Sequence, residues 1–112
     1  MHHRCRALLV AVLVLAVLAA GASLAFAATR SVGVKHVGSR WHFSVSRLTI
    51  HKGDTVRWAW RGSVPHNVTG PGFASKTATR LTFSRRFTRK GTFRIRCTIH
   101  ASLGQRMIIT VR

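Results

Sequence analysis

The sequence has 112 residues, enough for one domain, and positive charge dominates it: 19 Lys and Arg residues stand against one acidic residue, Asp54. A single carboxylate side chain excludes acid–base catalysis by paired carboxylates, so we expect a protein that is not an enzyme. A single carboxylate side chain also excludes a fold stabilised by salt bridges. The fold must therefore be stabilised by apolar burial and backbone hydrogen bonds.

The first 27 residues differ from the rest and have the pattern of a secretory signal peptide. They start with the basic residues Arg4 and Arg6 and continue in an uncharged run rich in Ala, Leu and Val. The run ends in Ala25-Phe26-Ala27, a small-x-small pattern typical of a cleavage site. It is also long enough to be an uncleaved membrane anchor. In either case we expect residues 28–112 to be exported to the periplasm or the extracellular space.

The charge of residues 28–112 indicates an anionic partner. Nucleic acid would be the first candidate for a cytosolic chain this basic, but export argues against it. We expect an acidic redox protein instead, or an anionic membrane or cell-envelope surface. A general arginine bias of the proteome would explain the charge equally well. Self-repulsion should keep the domain soluble, and we expect a monomer.

After residue 28 the chain consists of short runs with alternating apolar residues, separated by turn signals. The predicted strands are 31–37, 41–45, 48–50, 55–60, 66–69, 80–87, 92–97 and 106–111. Residues 61–65 are predicted to break the fourth run. Seven or eight strands without a helical period predict an all-β sandwich or barrel. Val56, Trp58 and Trp60 should face its core, with Trp60 partly exposed near the loops.

Cys97 is the one cysteine outside the N-terminal segment, since Cys5 lies within it. A lone thiol in an oxidising compartment needs protection, either by burial as a small apolar residue or by a metal. Cys97 and His100 are three positions apart at the end of a predicted strand, and His66 follows a turn 31 residues upstream of Cys97. Two imidazoles and one thiolate are the ligands that type 1 copper requires. Zinc could use the same three ligands.

The motifs around these residues resemble those of the cupredoxins, in particular the plastocyanin and amicyanin branch. The resemblance spans about residues 31–111 and rests on three segments, Gly-Asp-Thr-Val-Arg-Trp at 53–58, Pro-His-Asn-Val at 65–68 and Cys-Thr-Ile-His at 97–100. It implies a Greek-key β-sandwich that holds one type 1 copper ion through His66, Cys97 and His100. It also implies that Asn67 ties the two ligand loops together through Thr98.

The copper loop departs from the family pattern at one position. The resembled loop usually carries a methionine three residues after the second histidine, where this chain has Leu103. We therefore expect a three-coordinate site with Leu103 as a non-bonding axial neighbour and a raised reduction potential. Met107 falls in the last strand as a core or surface residue, unless a different loop register brings it to the metal.

The resemblance implies an electron carrier, in which His100 is the partly exposed ligand that electrons pass through. The patch facing the partner would contain Pro65, Phe73, Ala101 and Leu103. One alternative is an envelope protein that binds or delivers copper through the same ligands. Another is a basic sandwich that binds anionic envelope surfaces through its charge.

Three further histidines lie on predicted strands or strand edges without ligand-like spacing: His36, His42 and His51. We expect surface or structural roles for them. A second, weaker metal site is the alternative.

Overall fold

The computed structural model describes residues 26–112, which form nine strands and one short 3-10 helix. The strands are β1 (Thr29–Val37), β2 (Arg40–Phe43), β3 (Arg47–Ile50), β4 (Thr55–His66), β5 (Thr69–Gly70), β6 (Phe73–Ala74), β7 (Ala78–Arg86), β8 (Gly91–Arg96) and β9 (Arg106–Val111), and the 3-10 helix is Ala101–Leu103. The predicted signal peptide lies outside the described residues except for its last two. No helix within residues 26–112 is long and apolar enough to cross a membrane.

The strands form two sheets, which confirms the predicted all-β sandwich. One sheet has the order β2-β1-β4-β7 and the other β3-β9-β8-β5-β6. The pairs β1–β4 and β3–β9 are parallel, and the other pairs are antiparallel. The strand number exceeds the predicted seven or eight because two strands, β5 and β6, have only two residues each.

The core lies between the sheets and is built by alternation along each strand. Val56, Trp58 and Trp60 of β4 all face it, as predicted, with exposed fractions of 6% or less. The prediction that Trp60 is partly exposed was wrong. Its indole N–H donates a hydrogen bond of 2.8 Å to the carbonyl of Ala78, so the neighbouring strand β7 covers it.

The prediction that residues 61–65 break the fourth strand was also wrong. Strand β4 continues to His66, and its pairing with β7 shifts register between Arg61 and His66. Arg61 pairs with Arg80 and His66 with Ala78, so the extra residues of β4 bulge out of the ladder. A bulge tolerates Pro65, which has no N–H to donate. The irregular segment carries His66 to one end of the sandwich.

At the other end of β4, Asp54 joins three segments of the chain. Its carboxylate accepts hydrogen bonds from the backbone N–H of Ala28 (2.8 Å) and of His51 (2.9 Å). Its own carbonyl accepts one from the N–H of Phe87 at 2.9 Å. The bonds from Ala28 and His51 hold the pKa of the Asp54 carboxyl below its usual value. The single acidic side chain of the sequence is therefore a structural one.

Candidate metal centre

The three predicted ligands meet at the end of the sandwich where β4 finishes. His66 is the last residue of β4, Cys97 follows β8, and His100 precedes the 3-10 helix. Their potential ligand atoms all lie within 4.8 Å of one another, and the Cys97 Sγ is 3.6 Å from the His100 Nδ1. The side chains are buried, with exposed fractions of 5% for His66, 0% for Cys97 and 7% for His100. The fold thus joins residues that are 31 positions apart.

The loop from Cys97 to Gln105 closes on itself through backbone hydrogen bonds. The N–H of Cys97 donates to the carbonyl of Gln105 at 3.1 Å, and the N–H of Gln105 donates to the carbonyl of His100 at 3.2 Å. Gly104 ends the 3-10 helix with φ of 100°, a left-handed conformation that favours glycine. This turn reverses the chain and directs the next side chain inward.

That next side chain, Gln105, is a functional residue that sequence reasoning missed. It is fully buried, and its Oε1 lies 2.9 Å from the Nδ1 of His66 and 3.2 Å from the Nδ1 of His100. Its Nε2 donates to the carbonyls of Lys35 (3.0 Å) and His42 (3.2 Å). Because carbonyls only accept, the nitrogen of the amide must face them, which leaves the oxygen facing the two imidazoles.

Leu103 does not take the axial position expected for it. Its side chain is 57% exposed on the 3-10 helix, whereas Gln105 brings a polar oxygen to the imidazoles. The expectation of a site without a fourth donor is corrected accordingly. The signal was present in the sequence, because the inward alternation of β9 through 111, 109 and 107 extends back to 105.

Met107 lies in the core, one inward step beyond Gln105 on β9. It is 2% exposed, and the indole N–H of Trp58 donates to its sulfur at 3.4 Å. Met107 is therefore a core residue of the last strand, which was one of the positions expected for it.

Asn67 connects the two ligand loops, as the resemblance implied. Its Nδ2 donates to the Oγ1 of Thr98 at 2.7 Å, and its Oδ1 accepts from the backbone N–H of Thr98 at 3.0 Å. The same amide also donates to the Oγ1 of Thr77 and accepts from the Oγ1 of Thr69. The Thr77 and Thr69 contacts were not predicted, and they tie the network to β5 and to the residue that precedes β7. Asn67 thus uses both ends of its amide to hold residues adjacent to His66 and Cys97.

His100 is more covered than expected, because an aromatic ring lies on it. The indole of Trp41, on β2, stacks on the His100 imidazole with a centroid distance of 3.8 Å and an interplanar angle of 19°. The imidazole of His36 stacks on Trp41 at 3.7 Å. Sequence reasoning gave neither Trp41 nor His36 a role at the site, since their place there depends on how the β1–β2 hairpin packs.

The residues predicted to face a partner do not form one patch. Pro65 is exposed, Ala101 is half-buried and Leu103 is exposed, all near the ligand loops. Phe73 instead packs among the aromatic rings of Trp58, Phe83 and Phe87, at centroid distances of 6.4, 6.1 and 6.1 Å. Phe73 therefore belongs to the core cluster and not to the surface beside His100.

Burial also sets the electrostatics of the site. Removal of His66 from water lowers the pKa of its imidazole below the usual value, although the hydrogen bond to Gln105 acts in the opposite direction. A lowered pKa keeps His66 neutral, which is the form that binds metal. Within residues 26–112, His66, Cys97 and His100 are the one group of three or more potential metal ligands. The second site considered for His36, His42 and His51 does not form such a group.

Of the comparisons with known proteins, the one with solved structures identifies the fold. Neither a protein-family model nor a curated protein sequence matches the chain. Among solved structures, it is similar to a purple cupredoxin from Nitrosopumilus maritimus, with 25% identity and a TM-score of 0.62 over 74% of this chain and 99% of the other. It is also similar to plastocyanin from Dryopteris crassirhizoma (21% identity, TM-score 0.61, 73% and 99% of the two chains). A reduced amicyanin variant gives 25% identity and a TM-score of 0.62 over 81% and 88%.

The chain therefore has the cupredoxin fold. Its buried His-Cys-His cluster is consistent with a type 1 copper site.

The side chains at the cluster fit a type 1 copper ion. Two imidazole nitrogens and one thiolate are the strong ligands of such an ion, and an amide oxygen is one of the weak axial groups found beside them. His66, His100 and Cys97 supply the first three, and Gln105 supplies the fourth. The donor atoms of these four side chains thus fit such an ion.

Proposed function

We propose that this protein is an exported type 1 copper protein that carries single electrons between redox partners. His66, Cys97 and His100 would hold the copper, with the Gln105 oxygen as a weak axial donor. The observation that carries the proposal is the buried cluster of two imidazoles and the chain's one remaining thiol, with all ligand atoms within 4.8 Å. When bound, copper at such a site supplies one-electron exchange between Cu(I) and Cu(II).

The protein itself fixes the positions of the ligand side chains and excludes water from them. The two hydrogen bonds between Asn67 and Thr98 keep the loops that carry His66 and Cys97 at one separation. Supporting hydrogen bonds of this kind fix the ligand side chains in place. Burial excludes water from the imidazoles and the thiol, so the surroundings change little when the charge of the site changes.

Burial also favours a carrier over a copper-delivery protein. Handing a metal to an acceptor requires the acceptor's ligands to reach it, yet each of the three ligand side chains is less than a tenth exposed. An electron needs no such opening. The alternative role of binding anionic envelope surfaces would use the positive charge alone and gives no reason for the buried cluster.

We further propose that the protein acts outside the cytoplasm as a monomer and exchanges electrons with an acidic protein. Export is supported by the signal-peptide pattern of the first 27 residues. The excess of Lys and Arg supports an acidic partner, since opposite charges steer association.

The test is to add copper(II) to the purified protein and record its absorption and EPR spectra. We expect an intense blue, green or purple band from thiolate-to-copper charge transfer, which is lost in Cys97→Ser. Cys5→Ser, at the other cysteine, should leave the band unchanged. Reversible voltammetry of the loaded protein would separate a carrier from a delivery protein, which would release Cu(I) to a chelator. A colourless protein would contradict the proposal.

A further inference from the structure

Three aromatic rings form a continuous stack from the interior of the site to the surface. Trp41 stacks on His100 at 3.8 Å, and His36 stacks on Trp41 at 3.7 Å with an interplanar angle of 16°. Two rings this close to one indole cannot share a face, so Trp41 lies between the two imidazoles. Because His100 is buried, Trp41 half-buried and His36 exposed, the stack leads outward from the ligand.

The β1–β2 hairpin produces this arrangement through its register. His36 and Trp41 are direct cross-strand partners, and Val34 and Phe43 form the next inward-facing pair. Partners in an antiparallel pair lie on the same face of the sheet. Since Val34 and Phe43 are buried in the core, the two rings extend the core face beyond its end and over the metal site. Gly38, with φ of 59°, allows the tight turn between the strands.

Gln105 fixes the hairpin to the site. Its amide nitrogen donates to the carbonyls of Lys35 and His42, which neighbour His36 and Trp41 in the sequence. The same amide has its oxygen at the ligand imidazoles. The stack is therefore held in register with the ligands by a fully buried side chain, and not only by contact between rings.

The surface around the outer ring is positively charged. Lys35 and Arg40 are exposed neighbours of His36 and Trp41. A cleft of about 290 Å³ lies beside them and is lined by Lys35, His36, Arg61 and the ligand His66, among others. The one acidic side chain of the sequence, Asp54, precedes the far end of β4, so no carboxylate side chain of residues 26–112 neutralises this surface. Such a surface suits a negatively charged partner.

No comparable stack of described aromatic rings connects His100 to the surface at Ala101 and Leu103. Both residues lie on the 3-10 helix that follows His100, and their side chains are aliphatic. Among the described aromatic rings, those in contact with His100 belong to Trp41 and His66. Of these two, only Trp41 also stacks on an exposed ring, that of His36.

We propose that the stack of His36, Trp41 and His100 is the electron-transfer route of this protein. An acidic redox partner docks on the basic surface around His36, formed by Lys35, Arg40 and Arg61. This inference rests on the proposed function. The partner's redox group loses one electron and the metal centre gains it, or the reverse. The electron passes through the stacked rings, which undergo no net oxidation or reduction, and no bond or proton changes place.

Docking can be tested on the metal-free protein with hexacyanochromate(III), a redox-inert paramagnetic trianion that broadens nearby NMR signals. We expect the strongest broadening at the ring signals of His36 and Trp41, and its loss in a Lys35→Gln, Arg40→Gln double variant. Strongest broadening at Ala101 and Leu103 would overturn the docking site. This measurement does not depend on copper, so it decides the docking surface even if the proposed function fails.

The route can be tested by stopped-flow oxidation of the copper(I) protein with hexacyanoferrate(III), an anionic one-electron oxidant. Trp41→Leu should lose most of the rate, while Trp41→Phe, which keeps an aromatic ring, should retain much of it. Leu103→Ala is the matched control on the other surface and should react at the unsubstituted rate. Absorption and EPR spectra establish that each variant has an intact copper site.

An exposed position provides a second variant in case Trp41→Leu does not fold. His36→Ala removes the outer ring without touching the core, and we expect a smaller loss of rate. Full rates in both Trp41→Leu and His36→Ala, with unchanged spectra, would overturn the route while leaving the proposed function standing. Absence of a thiolate–copper band in the unsubstituted protein would instead remove the proposed function.

Discussion

The end of the sandwich where β4 starts and the end where it finishes bury polar groups of different kinds. Where β4 starts, the charged carboxylate of Asp54 accepts hydrogen bonds from backbone N–H groups of two other segments. Where it finishes, the side chains of His66, Asn67, His100 and Gln105 are buried together with Cys97. At the first end, side-chain atoms bind backbone. At the second, they mostly bind one another and face a common point.

This difference shows which end is built for stability alone. Asp54 uses its carboxylate oxygens on the backbone N–H groups of Ala28 and His51, which would otherwise need water. The imidazoles of His66 and His100 share a single acceptor, the oxygen of Gln105, and the thiol of Cys97 has only His100 within reach. Such a cluster stabilises the fold poorly without a metal, so we expect changes at the two ends to separate stability from copper binding.

The largest effect is expected for Asn67→Ala. It removes four hydrogen bonds, two to Thr98 of the other ligand loop and one each to Thr69 and Thr77, which should lower the free energy of unfolding by about 2–3 kcal/mol. Loss of such supporting bonds should also weaken copper binding by about 10–100-fold. Competition with a copper chelator measures the second effect, and chemical denaturation the first. The matched variant at the other end, Asp54→Asn, should lower the Tm with unchanged copper affinity. Equal copper affinities for Asn67→Ala and the unsubstituted protein would contradict the assignment of copper binding to this end of the sandwich.

Replacing the axial donor is expected to have the next largest effect. Gln105→Leu leaves the carbonyls of Lys35 and His42 without their donor, at a cost of about 2 kcal/mol in the free energy of unfolding. The amide oxygen is a harder donor than sulfur and favours Cu(II). We therefore expect both Gln105→Leu and Gln105→Met to raise the reduction potential, measured by voltammetry. A potential that stays the same in both variants would show that Gln105 does not bind the metal.

The two ends should also respond to acid at different pH values in the metal-free protein. The pKa of His66 is lowered from 6.5 and that of Asp54 from 3.8, in each case relative to the ordinary value. A lowered pKa in the folded state adds stability above the unfolded value and loses it as pH falls. As pH drops from neutral, the protection of amides from exchange, relative to their intrinsic rates, should therefore decrease first around His66, at pH values below about 6.5. Loosening around Asp54 should follow only near pH 3 to 4. The opposite order would contradict this assignment.

The smallest effect is expected for Thr98→Ala. It removes the hydroxyl that accepts from Asn67 but keeps the bond from the Thr98 backbone N–H to the same side chain. The free energy of unfolding should fall by about 1 kcal/mol, because one partly buried hydrogen bond is lost. Thr88→Ala, at an exposed position, is the control and should be nearly neutral. A loss as large as that of Asn67→Ala would mean that the other three hydrogen bonds of Asn67 contribute nothing to stability.

Particular residues show how far local pattern reaches in this protein. The alternation at 56, 58 and 60 predicts the inward face of β4, since successive side chains of a strand point to opposite faces. It does not predict that β4 continues past Arg61, because a bulge can accommodate Gly62 and Pro65 where a regular ladder cannot. Residue type and spacing also predict Cys97, His100 and His66 as candidate ligands, and their potential ligand atoms do lie together.

The sequence by itself determined the β-rich character of the chain, its positive charge, the three candidate ligands and the pairing of Asn67 with Thr98. The β-rich character, the charge and the candidate ligands follow from residue chemistry and from periodicity along single segments, whereas the pairing of Asn67 with Thr98 was implied by the resemblance to the cupredoxins. Only the tertiary structure decided that Gln105 rather than Leu103 faces the imidazoles, and that Trp41 lies between His36 and His100. The left-handed turn at Gly104 and the packing of the β1–β2 hairpin over the site bring these groups together. Both are long-range outcomes, because they depend on which segments meet in space.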